Sequence, residues 1–412
     1  MSWELKMISD LSEIPLRNGI YKEKEFQGRG QKIINMKELF GFDFIGNQEM
    51  KRVELSDSEK ERFLVKEGDL LFARRSLVED GAGKTSIITH LLEDTTFESS
   101  MIRVRLNKKI TDSLFYYYYF VSYEGRGNVL SLSTGVNVKG IKGSELNSLH
   151  IPLPPLPTQK RIASILSNYD DLIENNLKRI KLLEETAQNI YKEWFVNFRF
   201  PNYENTPFNE ETGLPLGWEK IVFSELYSLN NGCAFKSEDY KNKGIPILRT
   251  RDYSTSFFIQ MNDPIYLSND LFNNFSKYSI EEFDFLIIMV GASIGKYGVV
   301  LKKDLPSLLN QNQWAIRTLK EYSEYSLFKL FSLQDVMKEL LMKRTGAARD
   351  FFRASFLKEI NVIKPHKNNI LEFNKEIEPI MKLISSLLTQ NQKLKEARDI
   401  LLPRLMNRTI EV

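Results

Sequence analysis

The sequence consists of two similar halves, and this repeat constrains the fold more than any single motif does. At an offset of 215 positions, Trp3-Glu4 matches Trp218-Glu219 and Asp69 matches Asp284. At an offset of 211 positions the matches, which need no gap between them, are Thr134-Gly135 with Thr345-Gly346, Lys142 with Arg353, Leu146 with Leu357, Leu149 with Ile360 and Pro154 with Pro365. Two similar halves predict two similar folding units, which suit a ligand that itself has two similar halves.

The composition is that of an ordinary globular protein: 412 residues, 42% of them hydrophobic and 27% charged, suffice for two or three domains. The single cysteine, Cys233, excludes an intramolecular disulfide, and the scattered His90, His150 and His366 do not form a Cys/His zinc-binding pattern. We see no amino-terminal signal and no apolar run long enough for a membrane span, so we expect a soluble protein of the reducing cytoplasm. The net charge of +3 is too small to decide whether the partner is a nucleic acid.

Each half ends in a segment with the spacing of a long helix. After the proline-rich stretch 151–157, no proline or glycine occurs until Pro201, which predicts a helix of roughly forty residues. Its apolar seam alternates steps of four and three, as in a coiled coil, at Ile162, Leu166, Tyr169, Ile173, Asn176, Ile180, Leu183, Ala187, Ile190 and Trp194. The carboxyl-terminal segment repeats the spacing at Phe373, Ile377, Ile380, Ile384, Leu387, Asn391, Leu394, Arg398, Leu401 and Leu405.

Each seam contains one asparagine, and these two residues predict the register. If the helices run antiparallel with Asn176 opposite Asn391, every apolar layer finds a partner, for example Ile180 opposite Leu387. A buried asparagine lowers stability, but it pairs best with a second asparagine and thereby fixes the register. We therefore predict an intramolecular antiparallel coiled coil.

The predicted fold class is α+β, with two similar globular domains, separated by the two long helices, in a pseudo-two-fold internal repeat. The predicted segments are a first globular domain at 1–157, a central long helix at 158–200, a second globular domain at 201–366 and a carboxyl-terminal long helix at 367–412. A shared amphipathic helix begins at Ser113 in the first domain and at Ser326 in the second. Its run Tyr116 to Tyr119 has the helical spacing typical of a core, although stacking on nucleic-acid bases is the alternative.

A glycine-lysine turn is repeated in the two halves. The first copy, Gly81-Ala82-Gly83-Lys84-Thr85, is similar to a phosphate-binding P-loop, but the full motif needs a glycine where Val78 stands. The second copy, Gly291-Ala292-Ser293-Ile294-Gly295-Lys296, lacks the threonine that would bind magnesium. Glycine lets backbone amides approach a phosphate and lysine adds charge, so we predict DNA-backbone contacts from Gly83, Lys84, Gly291, Ser293, Gly295 and Lys296. A plain β-turn with a solvated lysine is the alternative.

Cations also recur at or near equivalent positions beyond the repeated Thr-Gly dipeptide. They are Lys139 and Lys142 in the first half, and Arg349 and Arg353 in the second. Repeated cations beside a repeated turn favour an edge that faces DNA phosphates, with ordinary solvated charge as the alternative.

Arg74 and Arg75 follow a probable strand, at a place where we align Ile288 and Met289 of the second half. A position that differs between the halves suits the reading of bases, because arginine recognises guanine well.

Catalytic motifs are missing from the sequence. We find no Asn-Pro-Pro-aromatic methyltransferase motif, no glycine-rich cofactor fingerprint after a strand, no metal-dependent nuclease triad, and no nucleophile with a histidine partner. We therefore expect a non-catalytic protein with no metal site or cofactor of its own.

The central helix follows the junction Leu153-Pro154-Pro155-Leu156-Pro157-Thr158-Gln159-Lys160-Arg161-Ile162-Ala163, and the other long helix contains Leu401-Leu402-Pro403-Arg404-Leu405-Met406. With the duplication, these segments resemble the specificity subunit of type I restriction-modification systems, over essentially the whole chain. Gly68-Asp69-Leu70-Leu71 matches the same family pattern, whereas the second half has Phe283-Asp284-Phe285-Leu286, without the glycine.

The resemblance implies that each globular domain is a target-recognition domain that reads one half of an asymmetric, interrupted sequence in double-stranded DNA. It also implies that the two helices act as a spacer and as the docking surface for two methyltransferase (modification) subunits, with restriction/motor subunits completing the complex. S-adenosylmethionine, ATP and magnesium are then expected only in those partner subunits. A forty-residue helix would span roughly 60 Å, more than the roughly 35 Å of one duplex turn.

Two other classes of function stay open. A coiled-coil scaffold with two protein-binding domains and no sequence-specific DNA recognition is favoured by the near-neutral charge, and a salt-insensitive partner complex formed without DNA would support it. An ATPase rests on Gly83-Lys84-Thr85 alone, and failure to bind labelled ATP would exclude it.

Overall fold

A computed structural model describes residues 3–76, 81–133, 139–253, 257–261, 263–342 and 353–412. The chain forms two compact units, which are Met1–Glu174 with Gln392–Val412, and Asn175–Asn391. Each unit therefore contains globular structure and a part of each long helix. The two units are defined by their packing and not by the ends of the long helices. The four predicted segments, with boundaries at 157, 200 and 366, therefore stay a prediction.

The first unit is built around a mixed sheet with buried central strands. The strand order is Arg17–Asn18, Met101–Val104, Leu70–Ala73, Thr85–Ile88 and Phe44–Ile45. A smaller sheet has the order Lys51–Val53, Gln27–Ile34 and Thr95–Phe97, and antiparallel ribbons pair Glu4–Met7 with His150–Leu153 and Arg75–Ser76 with Lys139–Gly140. The shorter helices are Ile8–Leu11, Met36–Gly41, Asp57–Phe63, Ser113–Val121, Tyr123–Ser131 and Gly143–Asn147, with a 3-10 turn at Lys24–Phe26.

The second unit repeats this plan. Its larger sheet has the order Tyr227–Asn231, Gln313–Thr318, Phe285–Ile288 and Tyr297–Val299. Its smaller sheet has the order Tyr240–Lys241, Ile265–Leu267, Ile245–Leu248 and Leu308–Leu309, and a ribbon pairs Glu219–Val222 with Asn361–Lys364. The shorter helices are Asn269–Phe275, Ser326–Met342 and Ala354–Lys358, and the 3-10 turns are Tyr203–Asn205, Phe223–Glu225, Ser237–Asp239, Thr250–Asp252, Ser276–Tyr278, Lys302–Asp304 and Lys320–Tyr325.

The helix that begins at Ser113 lies in the core of the first unit. All four tyrosines from Tyr116 to Tyr119 are buried, which confirms the prediction of a core role over base stacking. The hydroxyl of Tyr116 donates to the carbonyl of Pro152 over 2.9 Å, so the buried polar atom is satisfied. In the second unit Tyr325 makes the same type of bond to Pro365 over 2.7 Å.

The long helices run from Leu156 to Tyr191, continued by a π-helical turn at Lys192–Val196, and from Lys367 to Met406. Within the second unit the side chain of Asn176 donates to that of Asn391 over 2.9 Å, which confirms the predicted register there. Within the first unit, Ile162 and Leu405 are both buried in one core cluster. Both long helices of the predicted fold are therefore present, and the predicted register holds at the asparagine pair.

The missing glycine of the second half does not break the repeat. Gly68 has a φ of +90°, and Phe283, at the equivalent place, also adopts a positive φ, of +65°. The backbone nitrogen of Gly68 donates to Ile88 over 2.8 Å, and that of Phe283 donates to Val300 over 2.9 Å. Left-handed backbone is costly for a side chain other than glycine, so packing of Phe283 against the core must offset that cost.

Candidate nucleic-acid interface

The repeated glycine-lysine turns have the same hydrogen bonds in both units. In the first, Gly83 N donates to Ala73 O over 2.7 Å and Ala73 N donates to Lys84 O over 2.8 Å. In the second, Gly295 N donates to Ile288 O and Ile288 N donates to Lys296 O, both over 2.9 Å. Gly83 and Gly295 are therefore equivalent, and the turn of the second unit is three residues shorter.

Both equivalent glycines are required by the fold itself. They have positive φ angles of +72° for Gly83 and +82° for Gly295. A Cβ atom on Gly83 would lie 2.3 Å from Val129 Cγ1, and one on Gly295 would lie 2.5 Å from Leu341 Cδ2. The repetition of glycine thus has a packing explanation, and the phosphate-binding role of these residues stays a prediction.

The two lysines of these turns differ in their surroundings. Lys84 forms an ion pair with Asp43 and also donates to Thr85 O over 3.3 Å. Lys296 is exposed, and its backbone nitrogen donates to the backbone carbonyl of Ser293 over 3.1 Å. A half-exposed ion pair contributes on the order of 1 kcal/mol or less, so this pair adds little to the stability of the first unit.

Gly291 opens the turn of the second unit and has a φ of +95°. No atom lies within 4 Å of the place where its Cβ would be, and both Gly291 and Ala292 are exposed. The predicted phosphate contacts at Gly291 and Ser293 therefore lie at an open part of the turn, next to Lys296.

The sequence alignment of the paired arginines was wrong by one position. Ala73, rather than Arg74, occupies the place of Ile288 in the hydrogen-bonded turn. Arg74 N donates to Ser100 O over 2.7 Å, as Met289 N donates to Asn312 O over 3.0 Å. Arg74 is thus equivalent to Met289, and Arg75 to Val290. The offset of 215 that relates Asp69 to Asp284 still holds at Arg74 and falls to 212 only by Gly83, so the alignment departed from it one residue too early.

The two arginines differ in exposure. Arg74 is half-buried, and its guanidinium donates to Ser99 O over 3.2 Å, whereas Arg75 is exposed. Met289 is likewise half-buried against the core, and Val290 is 42% exposed. Of the two predicted base-reading arginines, Arg75 is therefore the one whose side chain faces outward.

Backbone pairing joins the predicted cations of the first unit. Gly140 pairs with Arg75, Lys139 pairs with Ser76, and Ile141 N donates to Arg74 O over 3.0 Å. The backbone of Lys139 therefore lies beside that of the arginines, and Lys142 follows the last paired residue, Ile141. The ammonium group of Lys142 lies 3.3 Å from Glu145.

The helices Gly143–Asn147 and Ala354–Lys358 confirm the equivalence of two predicted cations. Lys142 is the N-cap residue of the first helix, and Arg353 is the N-cap residue of the second. The side chain of Lys139, the whole of Arg349, and the Thr-Gly dipeptides at 134–135 and 345–346 lie outside the described residues. Predictions at those positions are therefore unchanged.

Sequence reasoning missed the ion pairs that hold the middle strands. Asp69 accepts from Arg105 Nε and Nη2 over 2.7 Å each, and Asp284 accepts from Arg317 over 2.7 and 2.8 Å. Burial disfavours the charge of Arg105, but the hydrogen bonds and charge of Asp69 prevail and raise its pKa. Arg105 and Arg317 stand at the same offset of 212 as Gly83 and Gly295, which is the signal that could have revealed them.

Within the part of the chain that the structure describes, no group of three or more His, Cys, Asp and Glu side chains is placed to hold a metal ion. Among the same residues, none of the helices is long and apolar enough to cross a membrane.

Comparison with known proteins connects this geometry to a family. A model of the type I restriction modification DNA specificity domain matches residues 1–185 and, a second time, residues 215–398. In Methanocaldococcus jannaschii, the type I restriction enzyme MjaIX specificity subunit is 24% identical over 410 residues, which cover 98% of this chain and 92% of the relative. The MjaVIII specificity subunit of the same organism is 25% identical over 367 residues, which cover 87% and 81%.

A solved structure supports the same fold. The S subunit of a type I restriction-modification system from M. genitalium superimposes with a TM-score of 0.55 at 17% identity, covering 98% of this chain and 96% of that chain.

Proposed function

Because the chain belongs to the type I restriction-modification DNA specificity family, we propose that each globular portion reads one half of an interrupted, two-part target in double-stranded DNA. The observation that carries this proposal is that the two units share the backbone hydrogen bonds of the glycine-lysine turn but differ at the exposed residue that precedes it. The Gly83 turn is repeated at Gly295, whereas Arg75 is replaced by Val290. Two globular portions with the same fold and different exposed side chains suit a DNA target whose two halves differ in sequence.

The proposed mechanism separates positioning from reading. Cations such as Lys142 and Lys296, with backbone amides of the turns, contact phosphates and set the orientation of each unit on the duplex. These contacts carry no sequence information and make affinity depend on salt. Side chains that differ between the units then contact base edges, where hydrogen bonds and methyl contacts distinguish the base pairs.

The long helices serve, in this proposal, as spacer and docking surface. Two methyltransferase subunits bind to them, restriction/motor subunits complete the assembly, and the helix length sets the unread gap between the half-sites. Methyl transfer and cleavage, with S-adenosylmethionine, ATP and magnesium, belong to those partners in the cytoplasm. The chain itself is the non-catalytic recognition subunit.

The proposal is tested by single-molecule methylation sequencing of DNA from cells that express the chain with its cognate methyltransferase subunit. The experiment is repeated with residues 201–366 exchanged for those of a relative. We expect a methylated two-part motif of which only one half changes after the exchange. That outcome would establish one globular portion per half-site.

A stable complex with the methyltransferase subunit that methylates no DNA in either form would contradict the proposal. A complex whose assembly needs no DNA and does not respond to salt would instead favour the coiled-coil scaffold. A motif that changes in both halves after the exchange would contradict the assignment of one half-site to each portion.

A further inference from the structure

Resting on the proposed function, we propose that the exposed residue after the middle strand is a base-reading position in both units. In the first unit this residue is Arg75, which would meet the edge of a guanine. In the second unit it is Val290, which would meet the 5-methyl group of a thymine.

The two residues follow equivalent backbone positions, Arg74 and Met289, directly in sequence. Each lies two residues beyond the one, Ala73 or Ile288, whose carbonyl accepts from the glycine of the turn. The preceding side chains are held: Arg74 donates to Ser99 O, and Met289 packs against the core. The chain therefore presents Arg75 and Val290 outward in the same way.

Cations suited to phosphates stand close to this position along the backbone. In the first unit Gly140 pairs with Arg75, and Lys142 follows Gly140 by two residues. In the second unit Lys296 is exposed, and its carbonyl accepts from Ile288 N over 2.9 Å. A side chain flanked by phosphate contacts is well placed to enter a groove, since such contacts set the register of a reader.

The chemistry of each side chain selects the base feature. A guanidinium donates two parallel hydrogen bonds to the O6 and N7 atoms of guanine in the major groove. Valine has no side-chain donor or acceptor and so cannot form a hydrogen bond with a base edge. The feature of a base pair that it can recognise is the apolar methyl group of thymine. The start of the second turn is exposed and uncharged at Val290, Gly291 and Ala292. Contact with a methyl group there removes no charged side chain from water, so the desolvation cost is small.

The valine assignment is tested with the full chain bound to its methyltransferase subunits, on the target defined by methylation sequencing. Each thymine of the second half-site is replaced in turn by deoxyuridine, which removes only the 5-methyl group. We expect one replacement to weaken binding by about fourfold, the value of one buried methyl group. With Val290→Ala, the same replacement should have no further effect.

The arginine assignment is tested in the same complex with 7-deazaguanine in the first half-site. At one guanine the loss of N7 should weaken binding by about tenfold, and Arg75→Ala should abolish sensitivity to that replacement. Coupling between a side chain and one atom of a base is a readout that a merely structural residue would not produce.

Matched controls lie in the same units. Leu216→Ala removes an apolar side chain that is 62% exposed in the second unit and lies outside the long helices, and Arg29→Ala removes an arginine whose side chain is 70% exposed in the first. Both should leave the effect of the modified bases unchanged.

The inference is overturned if no thymine methyl group and no guanine N7 contributes to binding by the unaltered chain, a result that needs no variant to fold. It is also overturned if each effect persists in Val290→Ala and Arg75→Ala. Those outcomes on a confirmed two-part target leave the proposed function intact, whereas the absence of any target contradicts the proposed function itself.

Discussion

Asn176 donates from its side-chain amide to the side-chain oxygen of Asn391 over 2.9 Å. Asn176 is buried, and the side-chain nitrogen of Asn391 has no hydrogen-bond partner among the described residues. The bond satisfies only part of this polar layer between apolar ones, and a shift of either helix would place one amide against leucine or isoleucine. The pair therefore specifies the register at a cost in stability.

Replacing one member of this pair should destabilise the second unit. Asn391→Leu leaves the buried amide of Asn176 without its acceptor, and we expect the free energy of unfolding to fall by about 1–3 kcal/mol. The double change to leucine at both positions should restore or exceed the original stability, because no polar group is then left buried. Urea denaturation measures both values. Asn189→Leu, at an exposed helix position, is the control, and equal stability of Asn391→Leu and the unaltered chain would contradict the prediction.

Breaking the two ion pairs of the middle strands should lower the free energy of unfolding by unequal amounts. Asp69→Asn leaves the charge of Arg105 largely buried, and we expect a loss of about 3–5 kcal/mol in the first unit. Asp284→Asn should cost less in the second unit, because Arg317 also binds Glu281 over 2.8 Å.

Amide hydrogen exchange of the strands Leu70–Ala73 and Phe285–Ile288 measures each effect in its own unit. Asp57→Asn, at a side chain that is 99% exposed, should change neither strand. Equal losses at the two aspartates would show that Glu281 does not support Arg317.

The two turn lysines should contribute unequally to DNA affinity. Lys296→Gln removes an exposed charge, and we expect uniformly weaker binding across sequences and a salt slope reduced by about one. Lys84→Gln should have the smaller effect, because Lys84 already shares its charge with Asp43. Fluorescence titration at several salt concentrations gives the slopes. Lys243→Gln is a matched control at an exposed lysine, and an unchanged slope in Lys296→Gln would identify the turn as purely structural.

The stability of the second unit should depend on pH through Glu184. Burial raises the pKa of Glu184 to about 7, and the nearby charge of Glu185 adds to this effect. The folded state therefore binds a proton more tightly than the unfolded state does, so the stabilisation is complete below about pH 4.5 and is lost as the pH rises through 7.

Because Glu184 is only partly buried, the slope between pH 4.5 and 7 should be less than about 1.4 kcal/mol per pH unit. Glu184→Gln should flatten this part of the profile, as followed by urea denaturation at each pH. Glu185→Gln, at an exposed position, should retain most of it. A profile that is identical in Glu184→Gln and the unaltered chain would refute the assignment.

The helical register could be predicted because its information is periodic and local. A seam residue every three or four positions identifies the buried face, and one asparagine in each seam leaves a single best pairing. The burial of Tyr116 to Tyr119 was predictable for the same reason, since their spacing follows the helix.

Other features depend on contacts that no local pattern records. The partner of Lys84 is Asp43, 41 residues away, and only the folded sheet brings them together. Phe283 adopts the left-handed backbone that Gly68 adopts in the first unit, although its residue type argues against it, because tertiary packing overrides the local preference. The place at which the offset falls from 215 to 212 is a further feature of this kind, because only the hydrogen bonds show that it lies between Arg74 and Gly83.

The composition of the two compact units has a consequence for synthesis on the ribosome. The second unit is one continuous stretch, Asn175–Asn391, whereas the first also needs Gln392–Val412. Leu405 and Met406 belong to the buried core of the first unit, so that core stays incomplete until they emerge. The unit whose translation starts first is thus the last to close, which reverses the usual order in which amino-terminal domains fold during translation.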